Sequence, residues 1–246
     1  MVDPTTPLAE PDTASLQIPG TDEAPAEGGL ARRAIARVRK AIITHELAPG
    51  SRVSETSLMQ QFKLPRASVR VALSFFQQSG FIVSAGPRTQ RVAPLSLAAI
   101  RETFQLRNLL EPAAAQYAIG KVDIARLREL NEACVWHPSA AGVDEGYRYL
   151  EANFRFHAEI VAATGMPQLQ KWLGFIQESV LRVLWISLSA DGRSHQWGGG
   201  HEEIIQALEE RDAEKVARVS LAHLNAGQQL VYELVMDGKL PIGAPA

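Results

Sequence analysis

The sequence predicts a mainly α-helical protein, with three helices and a small β-hairpin followed by an antiparallel bundle of six helices. Three observations lead to this fold class. Apolar residues recur at helical spacing through most of the chain after residue 30. Pro and Gly residues, singly or in pairs, interrupt that pattern at intervals of about one helix. Two short strand-like segments occur only at 81–83 and 91–92, and no strand pattern follows them.

The first 29 residues are predicted to be a disordered tail. They contain five prolines and six acids but no Lys or Arg, a composition that buries too little apolar surface to fold. They lack the basic segment and apolar core of a secretory signal, and no apolar run in the chain approaches the roughly 20 residues of a membrane span. Cys134 is the only cysteine, so no intrachain disulfide can form. These features predict a cytoplasmic protein with no membrane partner.

Residues 30–94 are predicted to form the first folded domain. The apolar period of the first helix starts at Ala31 and ends before the turn at Pro49-Gly50. Ser54 is a predicted N-cap for the second helix, and Pro65 opens the third. The two strand segments then flank Gly86-Pro87 as a hairpin. Three helices followed by a hairpin indicate a winged helix-turn-helix.

The charge of this domain predicts its partner. Residues 30–94 carry eleven Lys and Arg against two acids, a net charge of +9, whereas the whole chain has a net charge of −2. A compact basic block in a nearly neutral protein is typical of a surface that binds double-stranded DNA. A solvated basic face and a winged helix that binds protein are the alternatives.

Several side chains of this domain are candidate DNA contacts. Arg66, Ser68 and Arg70 are expected to face outward from the third helix, where an arginine can bind guanine in the major groove. Arg52 and Lys63 are better assigned to phosphates or to solvent. The same assignment applies to the basic residues of the first helix, which are Arg32, Arg33, Arg37, Arg39 and Lys40.

Two stretches of this domain, 46–55 and 66–73, resemble the N-terminal domain of the GntR family. They read ELAPGSRVSE and RASVRVAL, close to that family's Leu-x-Pro-Gly turn and its Arg-x-x-Val-Arg-x-Ala-Leu recognition helix. Two departures are Pro65, where the family usually has serine, and Thr89, where its wing usually has glycine. The resemblance implies that the principal DNA contacts are Arg52, Arg66 and Arg70, with the wing around Arg88 and Thr89 nearby.

Residues 95–240 are predicted to form an all-helical domain. Its six helices are expected at about 96–119, 123–136, 144–163, 168–190, 198–211 and 213–237. Several exceed 20 residues, and their apolar positions recur on one face, which is typical of an antiparallel bundle.

Three histidines of the bundle form a candidate metal site. His157, His201 and His223 lie on different predicted helices, each on the apolar face, and Asn153 precedes His157 by one turn. A single histidine on such a face is usually a core residue, but three together match the ligands of a divalent transition metal, zinc first and nickel second. The alternative is a polar pocket without an ion.

This set resembles the FCD domain, the ligand-binding domain of FadR-type GntR regulators. Metal-binding members carry Asp-x3-His on one helix and one histidine on each of the last two helices; here Asn153 replaces the aspartate. The resemblance implies a small carboxylic acid as effector. Arg107 is a candidate clamp for its carboxylate, because a guanidinium matches a carboxylate in shape. An ion pair with Glu111 is the alternative role of Arg107.

Together these features predict a sequence-specific transcription regulator, expected to be a repressor and not an enzyme. It would bind a pseudo-palindromic operator as a homodimer, and a small carboxylate in the helical domain would control its affinity for DNA. Two alternatives stay open from the sequence: a three-histidine metalloenzyme, and a DNA-binding protein whose helical domain only dimerises.

Overall fold

The computed structural model describes residues 26–87, 89–134, 142–191 and 200–238. The first domain contains the helices α1 (Ala26–Ile43), α2 (Glu55–Phe62) and α3 (Arg66–Gln78), with the strands β1 (Arg52–Val53), β2 (Ile82–Ser84) and β3 (Gln90–Val92). The second contains α4 (Leu97–Ala118), α5 (Ile124–Ala133), α6 (Val143–Ala162), α7 (Pro167–Asp191), α8 (His201–Glu210) and α9 (Ala213–Met236). The predicted fold class is confirmed.

Helix α3 is positioned by local signals that the sequence carries. The Ser54 side chain accepts a hydrogen bond from the backbone N–H of Ser57, which caps α2 as predicted. Lys63 then ends α2 in the left-handed conformation, with φ of 52°. After Pro65, α3 buries Val69 and Phe76 in a core shared with α1. This packing turns the opposite side of α3 to solvent.

The first domain has a three-stranded sheet instead of the two strands predicted. The order is β1-β3-β2 with antiparallel neighbours, and Arg52 of β1 lies opposite Arg91 of β3. β1 has only two residues, so it shows no alternation from which a strand can be predicted. Its pairing places Arg52 beside the wing.

The first helix starts earlier than expected. α1 begins at Ala26, inside the segment predicted to be a disordered tail, and residues 1–25 lie outside the described residues. The turn before Leu30 consists of Ala, Glu and two glycines, so it carries no large apolar side chain that could mark a helix face.

The bundle helices α4 and α9 run antiparallel. Asn108 Nδ2 donates to Gln228 Oε1 at 3.1 Å, and Gln116 Nε2 donates to the backbone oxygen of Ala213 at 2.9 Å. A later position on α4 therefore meets an earlier position on α9. Within the described ranges, no helix is long and apolar enough to cross a membrane.

Arg39 of α1 joins the two domains through buried ion pairs. Its Nε donates to Glu178 Oε1 of α7 at 2.7 Å, and its Nη1 contacts Tyr147 Oη and the Glu151 carboxylate of α6. The side chain is only 3% exposed, so its assignment to phosphate or solvent was wrong. Burial favours the neutral form, but the two carboxylates outweigh it and hold the pKa of Arg39 above its ordinary value.

Candidate functional site

Three helices bring the predicted histidines together. His157 comes from α6, His201 is the first residue of α8, and His223 comes from α9. One ring nitrogen from each lies within 4.8 Å of the others, and the Nε2 atoms of His157 and His223 are 3.3 Å apart. The three rings therefore converge on one point inside the bundle.

The orientation of His157 is fixed by Glu111 of α4. Glu111 Oε2 lies 3.1 Å from His157 Nδ1, and Glu111 Oε1 accepts from Arg107 Nε at 2.5 Å. Burial alone would raise the pKa of Glu111, but Arg107 and His157 outweigh it and hold this pKa well below its usual range. An ionised carboxylate only accepts hydrogen bonds, so His157 Nδ1 donates to Glu111, and Nε2 is the ring nitrogen that faces His223.

His201 is fully buried with no hydrogen-bond partner for either ring nitrogen among the described residues. Its ring stacks on Phe156, with centroids 3.9 Å apart. Burial, and then the neighbouring His223 and His157, lower its pKa well below the ordinary value. Burial likewise lowers the pKa of His223 to about 3. Both rings are therefore neutral at neutral pH, the form in which imidazole binds a metal.

Gly200 makes room for the ring of His223. A Cβ atom at position 200 would lie 2.5 Å from His223 Nδ1, closer than any real contact. The backbone of Gly200 has φ of −92° and ψ of −12°, which other residues adopt, so the requirement is space and not conformation. Sequence reasoning missed this residue; its position directly before His201 was the available signal.

Two of the three histidines, His157 and His223, border a cavity of about 310 Å³. Its polar lining, within the described part of the chain, is Arg107, Asn153, His157, Glu203 and His223, and its apolar lining includes Phe104, Leu184, Val219, Leu224 and Leu230. Asn153 and Arg107 thus line the same cavity as His157 and His223, and Arg107 also makes the ion pair with Glu111 that the sequence offered as its alternative role. Glu203 also lines the cavity, whereas Glu202 pairs with Arg128 at 2.9 Å.

The outer side of α3 and the segments beside it carry the candidate DNA contacts. Arg52, Lys63, Arg66 and Arg70 are exposed, and Arg70 Nε donates to Glu55 at 2.8 Å. Ser68 is different: it is 6% exposed, so the prediction that it faces outward was wrong. It precedes the core residue Val69, and the helix turn carries both side chains inward.

The hairpin candidates are only partly described. Thr89 is half-buried, and its backbone oxygen accepts from the N–H of Ala85 at 2.9 Å, which closes the turn of the wing. Arg88 lies outside the described residues. The role of both at DNA stays a prediction.

Comparison with known families assigns both domains. The model of the FCD domain matches residues 102–226, and the model described as bacterial regulatory proteins, gntR family, matches residues 30–89. The chain belongs to the GntR family and carries an FCD domain. The resemblance stated from the sequence is confirmed, and the histidine cavity lies in the FCD domain.

Relatives of this GntR protein are transcriptional regulators. The chain is 22% identical to the Nta operon transcriptional regulator of Aminobacter aminovorans, over 78% of this chain and 90% of that protein. It is 22% identical to the HTH-type transcriptional repressor RspR of Escherichia coli strain K12, over 80% of this chain and 86% of that protein. The E. coli McbR/YncC structure shares the fold, with a TM-score of 0.72 at 18% identity, over 84% of this chain and 98% of that one.

The family fixes the coarse function. The chain is a DNA-binding transcriptional regulator of the GntR family. The family and its relatives are regulators and not enzymes, which excludes the three-histidine metalloenzyme.

Proposed function

We propose that this GntR regulator is a repressor that binds a pseudo-palindromic operator as a homodimer, and that a small carboxylate in the FCD cavity controls its affinity for the operator. One observation carries the proposal. Three histidines, Asn153 and Arg107 converge in and around a single cavity of about 310 Å³. Such a concave site, with few polar groups in an otherwise apolar lining, is typical of a small-molecule pocket.

The histidine cluster supports a divalent metal as part of this site, zinc first and nickel second. Two nitrogens on a tetrahedral zinc ion, each at about 2.0–2.1 Å, lie roughly 3.3–3.4 Å apart. The Nε2 atoms of His157 and His223 are 3.3 Å apart. The buried nitrogens of His201, which lack a partner among the described residues, would gain one in the ion. A bound ion would supply a Lewis acid for a carboxylate oxygen.

The charges of the site support an anionic effector. The four candidate ligands are three histidines and Asn153, all uncharged, and the nearby carboxylate of Glu111 is already held by Arg107 and His157. Glu203, the other carboxylate of the cavity lining, is exposed and lies outside the histidine cluster. A divalent ion would therefore keep most of its charge, which an effector carboxylate would offset. Arg107 lines the same cavity, and its five N–H donors exceed what Glu111 alone requires.

The DNA-binding part is tested with an operator selected from random duplexes. Replacing Arg66 with alanine is expected to weaken binding to the selected duplex by about 10- to 100-fold, because an exposed arginine at the start of α3 reads a base edge. Fluorescence anisotropy at physiological salt measures both affinities. Arg218→Ala, an exposed arginine of α9, is the control and should change little. Equal binding of selected and random duplexes by the wild type would refute the proposal.

A substitution at Gly200 tests whether the histidine cluster binds a metal. In Gly200→Ala the new methyl group displaces the ring of His223, so the affinity for zinc is expected to fall by at least about 10-fold. Competition with a chromophoric chelator measures it. Gly142→Ala is the matched control, since a Cβ atom at position 142 meets nothing within 4 Å. If both variants bind zinc as the wild type does, the histidines are not a metal site.

A further inference from the structure

The cavity of the proposed function has a polar part and an apolar part. On α9, His223 is followed one turn later by Gly227 and two turns later by Leu230. On the antiparallel α4, Phe104 lies one turn before Arg107, so Phe104 and Leu230 lie on the same side of the polar groups. Phe104, Leu184 and Leu230 also belong to one packed hydrophobic cluster. The wall away from the histidines is therefore apolar in the described residues.

Gly227 leaves open space in this wall. It lies in the interior of α9, where glycine is among the least favourable residues. Its backbone φ is not positive, and a Cβ atom at this position would meet nothing within 4 Å. Neither conformation nor packing in the described protein requires glycine here, in contrast to Gly200. What the missing side chain does provide is room in the cavity that Gly227 lines.

We propose that the effector is a carboxylic acid with a compact apolar tail, and that Gly227 provides the room for that tail beside Phe104, Leu184 and Leu230. The inference rests on the proposed function and names the effector class of that site. Hydroxyl groups placed in this part of the cavity would lose their water without gaining partners, which disfavours sugar acids. An alkyl or aryl tail would instead gain from leaving water.

Hexanoate and gluconate form a matched pair of probes, because each has six carbons and one carboxylate and they differ in hydroxyl groups. Calorimetric titration of the full-length protein, loaded with zinc and again after chelation, measures both affinities. Hexanoate is expected to bind at least about 10-fold more tightly than gluconate. This comparison is made in whichever form of the protein, zinc-loaded or chelated, binds the acids more tightly. Tighter binding of gluconate would overturn this inference and leave the proposed function standing. If neither acid binds in either form, both are overturned.

A second experiment uses a substitution that fills the space beside position 227. Gly227→Leu is expected to weaken hexanoate by at least about 10-fold and acetate by less than about 3-fold, since only the longer acid has a tail to displace. A general distortion of the histidines would weaken both acids equally. Gln229→Leu adds the same side chain to an exposed position of α9 and should change neither affinity. Unchanged hexanoate binding in Gly227→Leu would overturn the inference.

Discussion

Replacing Arg39 with methionine is expected to lower the free energy of unfolding by about 3–5 kcal/mol, because it leaves a buried carboxylate without its counter-charge. Glu178 is 3% exposed and accepts from Arg39 Nε at 2.7 Å. Methionine keeps a long apolar side chain, so the loss reports the ion pair more than a cavity. Urea unfolding followed by helical circular dichroism measures the change.

The same helix offers a matched control for this prediction. Arg37 pairs with Glu46 through two hydrogen bonds of 2.8 and 2.9 Å, but both side chains are exposed. Arg37→Met is therefore expected to cost less than about 1 kcal/mol. Combining Arg39→Met with Glu178→Leu should recover part of the loss, since it removes the buried charge of Glu178 but leaves the partly buried Glu151 without its partner. If Arg37→Met and Arg39→Met lowered the free energy of unfolding equally, the buried ion pair of Arg39 would stabilise the protein no more than an exposed pair.

Replacing His201 with leucine is expected to change stability and zinc binding in opposite directions. Without metal, His201 buries two ring nitrogens that have no partner among the described residues, so an apolar side chain should raise the free energy of unfolding by about 1–3 kcal/mol. The affinity for zinc should fall by more than about 100-fold, because a direct ligand matters more than its supporting groups. Unfolding in chelator and a competitive zinc titration measure the two effects.

Ser220 provides a control that distinguishes a metal ligand from a buried polar group with no role in metal binding. Its Oγ is also buried without a partner among the described residues, and it lies on α9 one turn before His223. Ser220→Ala should leave the affinity for zinc within about 3-fold of the wild-type value, well below the 10- to 100-fold effect typical of groups that support a metal ligand. A zinc affinity that His201→Leu leaves intact would show that His201 is a core residue, the ordinary role of a single buried histidine.

Helix α6 contributes residues both to the ion pairs of Arg39 and to the histidine cluster. Tyr147 and Glu151 contact Arg39 of α1, and Asn153 and His157 line the cavity within the next two turns of the same helix. A rigid helix that contacts both sites gives the proposed effector a short physical route to the DNA-binding domain. The ion pairs of Arg39 are therefore among the interdomain contacts that a shift of α6 would change.

The sequence by itself determined the order of the helices, two of the three strands and the family. Apolar periods and Pro-Gly breaks placed the helices of both domains, and the local signals at Ser54 and Pro65 predicted the starts of α2 and α3. The positive charge of residues 30–94 and the spacing of three histidines pointed to DNA and to a clustered site. These features are local or repetitive, so they can be seen without knowing which helices touch.

Only the tertiary structure decided which polar side chains are buried, and against what. Arg39 pairs with a residue 139 positions away, and Glu111 of α4 orients His157 of α6; neither contact has a local signal. The sequence does not show that Gly200 and Gly227 differ. In the structure, Gly200 lies against the ring of His223, whereas Gly227 borders empty space. Periodicity gives the inward face of a helix, but the packing of distant helices decides what that face meets.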